Sequence, residues 1–378
     1  MSLSLYLHWP FCESKCPYCD FNSHVRDRID EASFEQAYIQ ELKRHQELLG
    51  RKKLISIFFG GGTPSLMSPK TVESILTTVY ALFDIEKGCE ITLEANPSSF
   101  EVEKFKDFKK LGINRLSLGV QSFNDDDLRY LGRRHNATQA RTALKEALSI
   151  FDNVSFDLIY ARRPSQTLSD WEKELKTALS YEVKHLSLYQ LTLEPGTVFF
   201  KKAQNGELDL PDEDTSLELY LTTVNRLEEK GYRAYEVSNF AKPGFESVHN
   251  KGYWSYNDYI GIGPGAHGRL TIEDKKIATT HYKLPEKWAQ EVLNHKNGAQ
   301  EAIFLDQKDQ LKERLLMGLR VLDGLAFHGV FFDVIDEKKL NRLIESKDLV
   351  LENNILKTTL QGRLRLEAIL RYLVKETV

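Results

Sequence analysis

Leu5-Tyr6-Leu7-His8-Trp9-Pro10-Phe11-Cys12-Glu13-Ser14-Lys15-Cys16-Pro17-Tyr18-Cys19 is the stretch that decides how this chain is read. Its first five residues are an apolar and aromatic run, the pattern of a short strand, and Pro10 ends it. Three cysteines then follow within eight residues. The whole chain holds only 4 Cys in 378 residues, too few for a disulfide scaffold, so the cluster reads as the start of a site. Cys89 stands apart, one residue before an apolar run, and is expected to be a small buried core residue. So few cysteines fit a reducing compartment, and a cytoplasmic location is expected. Residues 1–10 lack the basic stretch and long apolar core of a signal peptide. No run of about 18 apolar residues occurs, which leaves only peripheral contact with a membrane.

Outward from this stretch, short apolar runs alternate with longer amphipathic ones, the pattern of βα units around a parallel sheet. The expected strands are Leu5–Trp9, Ile55–Phe59, Glu90–Ala95, Arg115–Val120, Val154–Ile159, His185–Leu191 and Tyr232–Ser238. Ser33 with Gln36, and Ser169 with Glu172, read as helix-starting capping boxes, and Gly50 as a helix stop. Six βα units and an added strand make an α/β fold that is either a barrel or an open wound sheet. From about Ala241 to Gly268 the chain is rich in Gly, Asn, His and aromatics, as a functional loop region would be, and 287–307 looks like a linker. Beyond it, Leu311, Leu315, Leu316, Leu319 and Leu322 form a helical stripe. A helix near Leu340, a hairpin turning at Glu352-Asn353-Asn354 and a last helix through Leu366 and Leu373 complete a small winged-helix-like module. The expected divisions are a core over 1–240, a loop region and linker over 241–300, and a C-terminal domain over 301–378.

Composition removes several classes. With 41% hydrophobic and 28% charged residues the chain is neither disordered nor collagenous, and a formal charge of −4 argues against a basic nucleic-acid binder. Three neighbouring thiolates suit an iron–sulfur cluster or zinc. With no fourth cysteine nearby, one metal position stays open, the mark of a site that binds something else; zinc would need a fourth ligand such as His8 or a distant group. The remaining polar motifs follow the expected strands: Gly60 to Pro64 ends the second, Glu94 with Asn96 the third and Gln121 the fourth, Asp157 lies in the fifth, and Tyr189 with Gln190 lie in the sixth, followed by Glu194 to Thr197. Ligand sites of parallel α/β folds form at the C-terminal ends of their strands. Glycines let backbone approach a ligand, Glu94 and Asp157 accept hydrogen bonds from a ribose or an ammonium, and Arg133 pairs with a carboxylate. Alone, each would read as a solvated sheet-end residue; their shared location favours function. The glycine turn lacks the Gly-Lys-Ser/Thr of a phosphate loop.

CxxxCxxC after a first strand, with Phe11 before it and Tyr18 inside it, resembles the radical S-adenosylmethionine superfamily. Tyr6-Leu-His8-Trp9-Pro10-Phe11-Cys12, Gly60 to Pro64, Leu118 to Phe123, Leu131 to His135 and Asp157 to Tyr160 are similar, in order and over nearly the whole chain, to the coproporphyrinogen dehydrogenase (HemN) group. That resemblance implies a partial (β/α)6 TIM-like barrel with an added strand. It implies a [4Fe–4S] cluster on Cys12, Cys16 and Cys19, and S-adenosylmethionine among Tyr6, Tyr18, Gly61, Gly62, Thr63, Glu94, Gln121, Arg133 and Asp157. It also implies an electron donor, which the sequence does not identify.

Within the group, the decarboxylating enzymes typically carry a fourth cysteine two positions after the motif, where this chain has Asp20-Phe21. The barrel also begins almost at residue 1, without their N-terminal extension. Val248-His249-Asn250-Lys-Gly-Tyr253-Trp254 resembles the HNxxYW motif of the HemW branch, the haem chaperones. The resemblance therefore implies haem or a porphyrin as cargo, His249 as a haem ligand and a respiratory haemoprotein as recipient, with no nucleic acid as partner. His249 bonded within a loop is the structural alternative. Oxygen-independent coproporphyrinogen III oxidase is the enzymatic one, and a nucleic-acid-modifying radical enzyme is a third. His8 and His135 read as structural groups. Ala161-Arg162-Arg163-Pro164-Ser165-Gln166-Thr167 departs from the group's glycine-rich continuation. Its arginines are expected in solvent, with a reshaped loop or a propionate contact as alternatives.

Overall fold

The computed structural model describes residues 3–375. Strands β1 (Leu3–Trp9), β2 (Lys53–Gly61), β3 (Asp84–Ala95), β4 (Arg115–Gln121), β5 (Asn153–Tyr160) and β6 (His185–Gln190) lie side by side in chain order and all run parallel. Sequential order with a helical crossover between neighbours is the barrel-type arrangement; a doubly wound sheet would reverse its order near the middle.

Alternation along these strands sorts the side chains. Leu5, Leu7, Ile57, Phe59, Ile91, Leu93, Leu116, Leu118, Phe156 and Leu186 join one buried apolar core with helix residues such as Val72, Leu144 and Trp171. The opposite parity is polar and inward: Ser4, Ser56, Glu90, Arg115, Ser117, Ser155 and His185 are all buried. They bond across strands, with Ser56 to Ser4 at 2.8 Å, Arg115 to Ser155 at 3.0 Å and Ser155 to Ser117 at 3.0 Å. Parallel strands covered on both faces are usually apolar throughout. Here the inward positions instead form a buried hydrogen-bonded network, in which Ser56 and Glu90 also receive His249.

The added strand differs from expectation. Over 232–238 the chain forms only the two-residue β7 (Arg233–Ala234) and then turns into β8 (Asn239–Ala241), which pairs antiparallel with both β7 and β6. Glu236 makes the turn by accepting from Ser238 N at 2.8 Å and Asn239 Nδ2 at 2.7 Å, a local alternative to a strand ladder. The opposite edge grows instead. β9 (Asp258–Ile262) pairs parallel with β1, and β10 (His267–Ile272), β11 (Lys275–His281) and β12 (Ala299–Phe304) follow antiparallel, giving a twelve-stranded sheet. The stretch expected as loop and linker is thus the helix Val248–Trp254, four strands and the helix Pro285–His295. Polar residues on the exposed face of that last helix hide the buried set Trp288, Ala289 and Val292.

Two helix starts also shift. Asp30, not Ser33, caps Glu31–Leu49, accepting from Ser33 N at 3.3 Å. Thr167 and Asp170, not Ser169 and Glu172, form the capping box of Leu168–Leu179. Near the C-terminus, Leu311, Leu315 and Leu319 enter a second core with Phe331, Leu340, Leu349 and Leu373. Leu316 is exposed, and Leu322 packs on the main core. β13 (Leu325–Ala326), β14 (Leu349–Glu352) and β15 (Ile355–Thr358) form a small antiparallel sheet. Asn353 and Asn354, both at positive φ, make the two-residue turn between β14 and β15. The module is fastened to the large sheet by Glu313, which pairs with Arg269 at 2.7 Å and accepts from Tyr256 Oη at 2.8 Å. Among the described residues no helix is long and apolar enough to cross a membrane.

Candidate functional site

The cysteine loop leaves the end of β1 and is closed on itself at its base: Cys12 N donates to His24 O at 3.0 Å and His24 N to Pro10 O at 2.7 Å. Its far end is pinned by His8, which donates through Nε2 to Asn22 O at 2.9 Å. With that nitrogen protonated, Nδ1 accepts from Tyr6 Oη at 2.9 Å. The Asn22 side chain ties the loop to the segments that follow β9 and β11 by donating to Pro264 O and Lys283 O, each at 2.8 Å.

Cys12, Cys16 and Cys19 are partly exposed and line one cavity of about 400 Å³ at the C-terminal end of the barrel. Thr63 Oγ1 donates to Cys12 Sγ at 3.4 Å and Arg133 Nη1 to Cys16 Sγ at 3.5 Å, while Ser23 Oγ lies 3.9 Å from Cys19 Sγ. Burial pushes the Cys12 thiol up to about 11 against the hydrogen bond from Thr63. A bound cation would be needed to hold it as a thiolate. The donor set, three sulfurs on one loop facing a polar chamber, fits an iron–sulfur cluster. Zinc fares worse, because both ring nitrogens of His8 are engaged. Among the described residues no three Cys, His, Asp or Glu groups gather around a single-ion position.

The opposite wall begins at the glycine turn ending β2. Gly62 N donates to Trp9 O at 2.7 Å and Thr63 N to Phe11 O at 2.8 Å, so the turn lies against the base of the cysteine loop. A Cβ on Gly62 would stand 2.6 Å from Phe11 O. Glu94 at the end of β3 accepts from Gly61 N at 3.1 Å. Burial, with Asp157 adding to it, pushes the Glu94 carboxyl up to about 8. Burial also raises Asp157, to about 6, against a hydrogen bond from Ser187. Both carboxyls are thus held toward their protonated forms, a bias that a bound cation would reverse. Gln121 ends β4 at φ +68° beside Arg133, whose Nη2 donates to Asn96 Oδ1 at 2.5 Å and Gly119 O at 2.9 Å. Arg133 Nε has no hydrogen-bond partner among the described residues, so the guanidinium has a donor to give to a carboxylate.

The cavity thus gathers Cys12, Cys16, Cys19, Tyr18, Gly61, Gly62, Thr63, Glu94, Gln121, Arg133 and Asp157. Two expected site residues lie elsewhere. Tyr6 is not among the residues that line the cavity; it stacks on Phe58, bonds His8 and feels the charge of Glu94. His249 is not in a flexible loop. It sits in the helix Val248–Trp254, which plugs the floor of the barrel, and is 1% exposed. Its Nδ1 is 2.9 Å from Ser56 Oγ and its Nε2 2.9 Å from Tyr253 Oη, the ring stacks on Phe58, and Glu90 accepts from its backbone N–H. Burial, assisted by Arg115, lowers it to about 3 and keeps the ring neutral, with both nitrogens in use.

Reasoning from sequence overlooked Glu101. It accepts from Asn96 N at 2.7 Å and from Ser65 Oγ, and so holds the turn that follows Glu94. The signal was present as Ser98-Ser-Phe-Glu101, a helix-start pattern in which Ser98 accepts from Glu101 N. The Ala161–Thr167 departure is corrected as well: Arg162 is 1% exposed and ion-paired, and Arg163 is half-buried against Asp127.

A family model described as the radical SAM superfamily matches residues 6–177. The mitochondrial radical S-adenosyl methionine domain-containing protein 1 of Bos taurus is 37% identical over 381 residues, 97% of this chain and 86% of that one. A protein of Escherichia coli strain K12 named heme chaperone HemW is 34% identical over 388 residues, 99% of this chain and 98% of that one. Among solved structures, coproporphyrinogen III oxidase (HemN) of Escherichia coli superposes with a TM-score of 0.82 at 24% identity, covering 98% of this chain and 89% of that one, a likeness of fold.

Proposed function

Because the chain belongs to the radical SAM superfamily, in the HemN-like group close to HemW, we propose that it is a haem chaperone that carries a [4Fe–4S] cluster and S-adenosylmethionine. The observation that carries the choice within the group is Phe21. It lines the rim of the cavity and is 60% exposed, at the position where the decarboxylating enzymes typically place a further cysteine.

Cys12, Cys16 and Cys19 would hold the cluster, and the Gly61–Thr63 backbone, Glu94, Gln121, Arg133 and Asp157 would hold S-adenosylmethionine. When bound, that pair supplies one-electron chemistry. The chain's own part is positional. Thr63 and Arg133 direct donors at two of the sulfurs, Glu94 and Asp157 receive positive charge, and Arg133 keeps a donor for a carboxylate. Tyr18, packed on Phe199 with ring centres 6.4 Å apart, closes the side behind Cys16. His249 is the proposed haem ligand, and it becomes available only when its helix withdraws from the barrel floor.

Anaerobically reconstituted protein is expected to retain haem stoichiometrically and to leave coproporphyrinogen III unchanged; failure to retain haem would remove the proposal. The HemN-like fold supports one competing reading, oxygen-independent coproporphyrinogen III oxidase. Protoporphyrinogen formation by the reconstituted protein would establish it.

A further inference from the structure

Arg162 is the charged residue of the Ala161–Thr167 departure that the fold has taken wholly inside. Its Nη2 bonds Glu174 Oε2 at 2.6 Å and Asp127 Oδ2 at 2.9 Å. Its backbone N–H donates to Gln166 Oε1 at 2.9 Å, so its own loop is folded around it. Two carboxylates this deep are tolerable only with matching positive charge, and removing this cation leaves Glu174 without its ion pair and Asp127 with Arg163 alone. Such an investment calls for an account of what the two carboxylates are holding.

Each leads to the cofactor chamber. Glu174 uses its other oxygen to accept from Ser122 Oγ at 2.5 Å and Phe123 N at 2.7 Å, the two residues directly after Gln121. Gln121 stands at φ +68°, a left-handed conformation that a non-glycine residue keeps only when its surroundings impose it. Asp127 lies in the helix Asp125–Tyr130, whose last turn leads through Leu131 and Gly132 to Arg133. Leu131 N donates to Asp127 O at 2.9 Å, and Arg133 N to Leu128 O at 2.8 Å. Arg163 adds a second ion pair to Asp127 at 2.6 Å and lies over the Tyr130 ring. One guanidinium therefore stands behind both Gln121 and Arg133, which flank this short helix and meet again across the chamber wall.

We infer that Arg162 is the positioning residue of the S-adenosylmethionine site, setting Gln121 through Glu174 and Arg133 through Asp127. The inference rests on the reading that Gln121 and Arg133 touch that cofactor. A lysine at 162 keeps the charge, but both pairs are made from Nη2 at the tip of the guanidinium, and the shorter lysine side chain ends before that point. Ser122→Ala leaves the Arg162 ion pairs in place and removes the hydroxyl link from Glu174 toward Gln121, together with the bond that Asn124 N donates to Ser122 Oγ, while Phe123 N still donates to Glu174.

The test is S-adenosylmethionine titration of cluster-loaded protein, read by calorimetry and by the change the ligand causes in the paramagnetic spectrum of the reduced cluster. Arg162→Lys and Ser122→Ala are expected to keep wild-type iron and sulfide content. Both should bind about tenfold more weakly, corresponding to about 1.4 kcal/mol, and show a broadened or missing spectral change. Should Arg162→Lys fail to fold, Ser122→Ala and Glu174→Gln decide on the same two readouts. Gln121→Ala is the control for the underlying reading: wild-type binding in that variant overturns the cofactor assignment. Weakened binding in Gln121→Ala beside wild-type titrations and spectra in Arg162→Lys and Ser122→Ala overturns the positioning role alone.

Discussion

Arg133 Nη1 lies 3.5 Å from Cys16 Sγ while its Nη2 is held by Asn96 and by the Gly119 carbonyl, so a guanidinium is fixed against one of the three cluster-loop sulfurs. Burial works against that charge, and the neighbouring Tyr18 and Cys16 more than restore it. A fixed cation beside a metal cluster favours the reduced form. Arg133→Met is expected to lower the midpoint potential of the reconstituted cluster by on the order of tens of millivolts. It should also abolish measurable S-adenosylmethionine binding. Redox titration followed by electron paramagnetic resonance checks the first effect, and an unshifted potential would show that solvent screens the pair.

Gly62 fixes the distance between the two halves of the chamber. A methyl group at this position would meet Phe11 O at 2.6 Å and Phe11 N at 3.0 Å, both backbone atoms that cannot swing aside. Gly62→Ala should therefore cost about 1–3 kcal/mol and displace Phe11, the residue immediately before Cys12. Thermal unfolding with iron analysis of the same preparation checks both parts. The expected result is a lowered melting temperature together with incomplete iron loading.

Glu94 makes binding dependent on pH. Its carboxyl is raised from an ordinary value of 4.5 to about 8 by burial and by Asp157. Between those values the folded chain keeps a proton that the unfolded chain has released, so this group's contribution to stability falls as pH rises through the window. A bound cation reverses the preference by favouring the ionised carboxylate, and binding then expels the proton. S-adenosylmethionine affinity should tighten from pH 7 to pH 9 in the wild type and lose that slope in Glu94→Gln. Calorimetry in buffers of different ionisation enthalpy counts the proton directly.

The parts of the fold legible beforehand are those governed by short periodic signals. The six parallel strands follow from apolar alternation, the cysteines, Gly61, Gly62, Glu94 and Gln121 follow from their placement at strand ends, and Asp157 from its place as a carboxylate within the fifth strand. What stayed hidden depends on contacts between residues far apart in the chain. Arg162 looks like a solvated loop residue until Asp127 and Glu174 close around it from two other helices. His249 looks mobile until Ser56, Phe58 and Glu90, on two strands, receive it. The segment 287–307 looks like a linker because its charged face outnumbers the buried Trp288 and Val292.

His249 gives the last prediction, because its burial separates the chance of ligating haem from the rate of doing so. The ring must give up Ser56 and Tyr253 and leave the face of Phe58, and its helix must release the carboxylate of Glu90 before a nitrogen can reach iron. Haem ligation by this residue should then be limited by opening, with an observed rate that stops rising at high haem concentration. Ser56→Ala removes one hydrogen bond to the ring. At about 1 kcal/mol for a net hydrogen bond, the open population should rise roughly fivefold and the plateau rate with it. Stopped-flow recording of the Soret band measures both quantities. A rate that climbs linearly with haem and is unchanged in Ser56→Ala would mean that iron finds its ligand elsewhere on the chain.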